Sequence, residues 1–343
     1  MNALQIIDQG KPLEQRELRQ PVVMQDEVLV SIKAAGICHS DAHYRAGTIP
    51  ISNLPITPGH EIAGVIEEIG GNVKSLKVGD HVSLNYLLTC GKCEHCSDSR
   101  EQFCPSVEML GKNRDGGYAE FISVPERNAV LLPEDLPFHH GAILMCSWAT
   151  SFHALNKSGL TAGMTIAVFG VGGLGIAAVQ LSNLLGAADI YAVDINKEKL
   201  KIASKLGATA LEAAEPNPAE VIRQLTEGSG VDIALEFTGI PEVGRQAIES
   251  LGVKGIAAFV GVGNKPLSVN IYDDLINKEA ELIGVSDHLP HEIEQLLNYV
   301  REGKLDLSSA VTRKISLDVD EVNRVLDEFD HYRGNDLRTV IVS

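Results

Sequence analysis

Apolar and polar positions change rhythm partway along the chain. Over about the first 140 residues the apolar positions form short runs broken by Gly, Pro and polar clusters. VLVSIKAA (28–35) alternates apolar and polar, and EIAGVIEEIG (61–70) follows a further turn, which is how strands read. This half is predicted to be mainly β. From about residue 160 the order becomes TIAVFG (165–170), an apolar helical stretch to Leu185, DIYAVD (189–194), then KEKLKIASKLGA (197–208) at helical period. Strand, helix, strand, helix predicts a parallel sheet with crossover helices. The alternation continues through VDIALEFTG (231–239), EVGRQAIESL (242–251), GIAAFVGVG (255–263) and AELIGVS (280–286), making a doubly wound α/β domain. HEIEQLLNYVREGKL (291–305) is predicted to be an amphipathic helix and LRTVIVS (337–343) a closing strand.

A length of 343 residues implies two domains, each large enough for its own core. The hydrophobic share of 44% and charged share of 22% suit a folded globular chain. A formal charge of −17 argues against nucleic acid and anionic membranes as partners, since both need a basic surface. MNALQIIDQGKPLEQ, at the start, has neither a basic segment nor an apolar one of the secretory kind. No apolar run approaches the ~18 residues of a membrane span. A cytoplasmic protein acting on small molecules is the expectation.

In AVFGVGGLGIAA, Gly170, Gly172 and Gly175 fit GxGxxG between a predicted strand and a predicted helix. The first glycine permits a tight turn, the second lets backbone approach a pyrophosphate, and the third lets helix and strand pack closely. The second strand ends at Asp194, 19 residues beyond Gly175, where a carboxylate can accept hydrogen bonds from ribose hydroxyls. Ile195 and Asn196 follow it, with no Arg to meet a 2′-phosphate, so NAD is favoured over NADP. The competing reading is that Asp194 only caps the next helix.

Six cysteines in so long a chain make a poor disulfide framework. Cys90, Cys93, Cys96 and Cys104 are spaced C-x2-C-x2-C-x7-C. Thiolates this close repel one another without a cation, so a closed tetrahedral zinc site is predicted. An iron–sulfur cluster competes, because CxxCxxC with a Cys-Pro pair resembles bacterial ferredoxins, but there the last gap is about three residues. Four protein ligands leave no open position, so this zinc is expected to be structural, holding a lobe around 86–112. The other metal-capable residues lie in GICHSDAH (36–43), PGHEIAG (58–64) and LMCSWAT (144–150). Taken singly, Cys38, His60 and Cys146 are as readily core residues as ligands.

GHEIAGVIEEIGGNV (59–73) fills every fixed position of G-H-E-x2-G-x5-G-x2-V, and with ICHSD, the four-cysteine lobe, KVGDHV (77–82) and DGGYAEF (115–121) the chain resembles the zinc-containing alcohol dehydrogenases throughout its length. The resemblance implies a GroES-like, mainly β catalytic domain over 1–147 and 288–343, with a Rossmann domain over 148–287. It implies two zinc ions and NAD. Cys38, His60 and Cys146 would bind the catalytic zinc, with Glu61 as an exchangeable ligand and Asp41 orienting the histidine. Ser40 and His43 would relay the alcohol proton. Cofactor contacts would come from Gly170, Gly172, Gly173, Leu174, Gly175 and Asp194, and from His39, Thr150, Lys199, Val262 and Arg338, the last facing the pyrophosphate.

Three positions depart from the family pattern. GVSDHLPH (284–291) stands where relatives carry a small-residue run with a basic side chain, which puts a phosphate contact in question. Trp148, the only tryptophan, stands where relatives place a small residue. Ile49 replaces a bulky aromatic, which makes larger or secondary alcohols eligible substrates. The compact chain resembles homotetrameric relatives. Rival readings are a polyol, sugar or threonine dehydrogenase, against which Cys146 speaks because those relatives more often use glutamate there, and a non-catalytic nucleotide-binding relative.

Overall fold

A computed structural model describes residues 1–51, 53–213, 217–330 and 334–343. The chain divides into two compact units. One comprises Met1–Cys146, Leu289–Arg301 and Asp306–Ser343, and the other Ser147–His288 with Glu302–Leu305.

The first unit is organised around the strand Glu27–Ile37, whose residues are almost all buried. It pairs antiparallel with Glu61–Ile69 on one side and Arg338–Val342 on the other, and its first half also pairs with Phe121–Pro125. The seven-stranded sheet is completed by Val311–Ile315, His81–Leu84 and Ala129–Leu131. Register decides what meets at one end of this sheet. Gly36 stands opposite Glu61 on one neighbour and Val340 on the other, and Ile37 opposite Thr339. Cys38, Glu61 and Arg338 therefore converge where the central strand ends.

The helix His39–Ala46 starts at that end, with Cys38 as its N-cap. Its sequence, HSDAHYRA, shows no apolar stripe, so hydrophobic periodicity does not reveal it. The Asp41 carboxylate closes its first turn by accepting the Cys38 N–H at 2.9 Å. Further elements lie outside the stretches that the alternation assigns, among them the helices Ala149–Lys157, Pro218–Leu225 and Val319–Asp330 and the strands Thr209–Glu212 and Val311–Ile315.

The second unit is the doubly wound α/β sheet that the alternation predicts. Six parallel strands run in the order Thr209–Glu212, Asp189–Asp194, Thr165–Phe169, Val231–Glu236, Leu251–Phe259, Glu281–Gly284. Sequence order reverses between Thr165–Phe169 and Val231–Glu236, and such switch points are where these sheets bind ligands. No helix among the described residues is long and apolar enough to cross a membrane.

Candidate metal centres and dinucleotide site

Cys38 ends the central strand, His60 and Glu61 open the next one, and Cys146 lies in a π-helical segment, Leu144–Trp148. One ligand atom from each of these four residues lies within 4.8 Å of the others, and all four residues are buried. π-helical turns are rare and concentrate at functional sites. Here one carries a thiol into the cluster.

The electrostatics of the cluster suit a cation. The Cys146 thiol hydrogen-bonds the Cys38 sulfur, and this with the facing imidazole holds Cys38 well below the usual thiol range. The same contact, with burial, pushes Cys146 well above it. Burial works to lower the His60 imidazole, but the Asp41 carboxylate and the Cys38 sulfur together outweigh it and His60 is held well above its ordinary value. Glu61 is raised to about 7 by burial, against the pull of Arg338. Its Oε2 pairs with the buried Arg338 guanidinium, while its Oε1 has no hydrogen-bond partner among the described residues. Two thiols, an imidazole and a carboxylate with a spare oxygen form a donor set that suits zinc.

Asp41 organises the surroundings. It is fully buried, and its Oδ1 lies 3.4 Å from His60 Nδ1 while accepting the Gly59 N–H at 3.2 Å. Its Oδ2 accepts the Cys38 N–H and, at 3.0 Å, the phenol of Tyr118. The Asp41–His60 approach is a charge contact rather than a hydrogen bond, and it faces the ring nitrogen that a metal-binding histidine turns to an outer partner. His60 Nε2 lies 3.4 Å from Cys146 Sγ, so the ring presents that nitrogen to the cluster. Ser40 Oγ is 3.8 Å from Cys38 Sγ. His43 follows Ser40 by one helical turn on the same face. The His39 ring lies 4.7 Å from His43 and stacks on Phe329 at 5.6 Å.

The four-cysteine lobe forms a second cluster, with one sulfur from each of Cys90, Cys93, Cys96 and Cys104 within 4.8 Å of the others. Cys93 Sγ and Cys96 Sγ are 3.4 Å apart, and Cys90 Sγ and Cys96 Sγ 3.9 Å. The Lys92 and Cys93 N–H groups aim at Cys90 and bring its thiol down to about 6. Against the pull of the Cys96 N–H, the neighbouring sulfurs push Cys93 the other way, up to about 11, and four sulfurs crowded together in this way fit a cation with four soft ligands.

In the second unit the glycine loop joins Thr165–Phe169 to the helix Gly173–Leu184, with Gly172 at its N-cap. Gly170 has φ +87°, a left-handed conformation that glycine adopts without strain. A Cβ on Gly175 would collide with the Gly170 carbonyl, whereas one on Gly172 would meet nothing within 4 Å. The third glycine thus serves packing, and the second leaves open space before a helix N-terminus. Asp194 accepts the Val171 N–H at 2.8 Å and the Asn196 N–H at 2.8 Å. Helix capping falls to Asn196, whose side chain accepts from Glu198 and Lys199. The capping alternative for Asp194 is therefore corrected, and its carboxylate instead ties the glycine loop to the end of the second strand.

Thr150 lies buried in the helix Ala149–Lys157, and Val262 is exposed beyond the fifth strand. Trp148 is fully buried and donates Nε1–H to Gln180 Oε1 at 3.2 Å. Ile49 is partly buried against the core of the first unit. GVSDHLPH contains no Lys or Arg, and at its start Lys157 Nζ donates to the Gly284 carbonyl at 2.7 Å. Two contacts escape sequence reading, the Tyr118 phenol on Asp41 and the Glu61–Arg338 ion pair, since each joins segments distant in the chain.

Comparison with known proteins gives two family matches, a model described as alcohol dehydrogenase GroES-like domain over residues 24–134 and one described as zinc-binding dehydrogenase over 173–302. An alcohol dehydrogenase of Geobacillus stearothermophilus is 33% identical over 323 residues, covering 93% of this chain and 92% of that protein. An L-threonine 3-dehydrogenase of Symbiobacterium thermophilum is 31% identical, covering 83% of this chain and 82% of its own length. The crystal structure of an alcohol dehydrogenase from Aeropyrum pernix superposes with a TM-score of 0.91 at 31% identity, covering 100% of both chains.

Proposed function

Because the chain belongs to the zinc-containing medium-chain dehydrogenases, we propose that it is an NAD-dependent alcohol dehydrogenase that interconverts primary or secondary alcohols with aldehydes or ketones. Cys38, His60 and Cys146 hold the catalytic zinc, with Glu61 as exchangeable ligand, and Cys90, Cys93, Cys96 and Cys104 hold a structural one. The carrying observation is the buried Cys38, His60, Glu61, Cys146 cluster backed by Arg338.

Zinc bound there supplies Lewis acidity toward an alcohol oxygen. The chain's own residues do the rest. Asp41 fixes the orientation of His60, and Arg338 holds one Glu61 oxygen so that the other faces the cluster. Ser40 and His43 carry the alcohol proton away, being neighbours on one face of a helix that starts at a ligand. In the other unit, the open space at Gly172 and the N-terminus of Gly173–Leu184 suit a pyrophosphate. Asp194 directs a carboxylate at the end of the second strand, with Ile195 and Asn196 rather than a cation beside it, which favours NAD over NADP. His39, Thr150, Gly170, Gly173, Leu174, Gly175, Lys199, Val262 and Arg338 complete the proposed cofactor contacts.

Turnover of a panel of alcohols, polyols, sugars and threonine with NAD or NADP tests the reading. The expected result is NAD-dependent oxidation of simple alcohols that disappears on zinc removal and returns on reconstitution. Turnover confined to threonine or polyols would replace the substrate assignment. No turnover of any substrate by a zinc-replete preparation would overturn the enzyme.

A further inference from the structure

The segment Asp115–Tyr118 is laid along Thr57–Gly59 like a zipper. The Gly116 N–H donates to the Thr57 carbonyl at 2.7 Å, the Tyr118 N–H to Pro58 at 3.0 Å, and the Gly117 N–H to Gly59 at 2.7 Å. Both ends are closed by side chains. At one, Asp115 Oδ1 accepts the Thr57 N–H at 2.8 Å. At the other, the Tyr118 phenol donates to Asp41 Oδ2 at 3.0 Å.

Glycines make the close approach possible. A Cβ on Gly116 would collide with the Gly59 carbonyl, and one on Gly59 would enter the Tyr118 ring. Gly59 has φ +94°, so the turn just before His60 is one that a side chain would strain. The Tyr118 ring is fully buried in the space that this missing side chain leaves. Tyr118 thus touches both things that fix His60, the backbone turn leading into it and the carboxylate facing its Nδ1.

We propose that Tyr118 is a positioning residue for the buried metal centre, its phenol holding Asp41 and its ring holding the Gly59 turn, so that His60 keeps the orientation a metal requires. The proposal rests on the assignment of zinc to Cys38, His60 and Cys146. Asp41 offers two oxygens to four groups, and three of the four (Cys38 N–H, Gly59 N–H and the phenol) are fixed donors. Removing the phenol leaves Oδ2 held only by Cys38, and the carboxylate can then swing away from the imidazole.

The test is zinc retention, read separately from turnover. Zinc-loaded wild-type protein and Tyr118→Phe are exposed to a chromogenic chelator, and zinc per chain and release rates are recorded. Phenylalanine keeps the ring against Gly59 and deletes only the hydroxyl. The expected result is release of one zinc about tenfold faster than in wild type, the lower end of the usual cost of losing an outer partner of a ligand, with the other zinc unchanged. On an Asp41→Asn background, Tyr118→Phe should add nothing, because both act through one carboxylate. Wild-type release from Tyr118→Phe, equal acceleration of both zincs, or a further tenfold effect on the Asp41→Asn background would each overturn the proposal. A wild-type protein holding only the lobe zinc would overturn the metal assignment, and the proposal with it.

Discussion

Arg338→Met exposes the energetics of the buried site most directly. Arg338 and Glu61 are 4% and 0% exposed in side chain, and the guanidinium is the cation paired with that carboxylate. Removing one member of a buried pair leaves the other uncompensated, which costs about 3–5 kcal/mol. Glu61 has a second way out, taking up a proton. Folded Glu61 is already raised to about 7, so at pH 7 roughly half of it is neutral and protonation caps the further loss at about 0.4 kcal/mol, a cap that rises to about 1.4 kcal/mol at pH 8. The expected destabilisation of Arg338→Met is therefore only about 0.4 kcal/mol at pH 7 and grows to about 1.4 kcal/mol at pH 8.

The pH dependence follows from the same group. Glu61 is raised to about 7 in the folded protein, so between 4.5 and about 7 the folded chain binds more protons than the unfolded one, and this contribution to stability falls as pH rises. Without Arg338 the folded value rises further and the decline extends to higher pH. Glu61→Gln in the Arg338→Met background removes the charge that lacks a partner and should restore most of the loss. Urea denaturation of metal-free protein, as a double-mutant cycle from pH 5 to 8, measures the coupling. Additive losses from the two substitutions, or a pH-independent Arg338→Met deficit, would refute the reasoning.

Gly36→Ala places a methyl group against the Glu61 carboxylate and should lower both zinc retention and melting temperature, checked by elemental analysis and calorimetry. The two loop glycines should separate: Gly172→Ala keeps its melting temperature and raises KM for NAD about tenfold, the effect of ~1.4 kcal/mol, while Gly175→Ala loses thermal stability because its Cβ meets the Gly170 carbonyl. Chelation of zinc should make the lobe around 86–112 protease-sensitive, and unchanged cleavage there after verified zinc loss would count against a structural metal. Burial works to raise the Asp274 carboxyl, but the Arg245 fork and the Asn270 N–H hold it below its usual 3.8. Its contribution is present above pH ~4 and lost as pH falls through the lowered value, so Asp274→Asn should cost about 2 kcal/mol at pH 7 and flatten the acid limb of the stability curve.

The second unit was legible because strands covered on both faces read as apolar runs, and helices between them carry their own period. The first unit was less so. The helix Val319–Asp330 buries Val322, Val325 and Leu326 at helical spacing, and Asp318 accepts the N–H groups of Asp320 and Glu321 at its start. Apolar spacing and an N-terminal carboxylate of this kind are helix signals that the sequence carries. His39–Ala46 is a different case, since Ser40, Asp41 and His43 occupy the positions that would otherwise announce an amphipathic helix. The π-helical turn at Cys146 has no sequence signature at all.

The two metal-capable clusters differ in the same way. Four cysteines within one short lobe declare a cation by repulsion alone, whatever the fold around them. Cys38, His60, Glu61 and Cys146 come from three segments and declare nothing until strand register places Gly36 opposite Glu61 and the segment Asp115–Tyr118 draws Gly59 against the Tyr118 ring. The glycines carry that information. Gly36, Gly59 and Gly116 look like loosely spaced turn residues, yet each one is an absence that another side chain or backbone fills. A buried site assembled from distant segments is thus written largely in the residues that make room for it, and those become readable only once the pairing of strands is known.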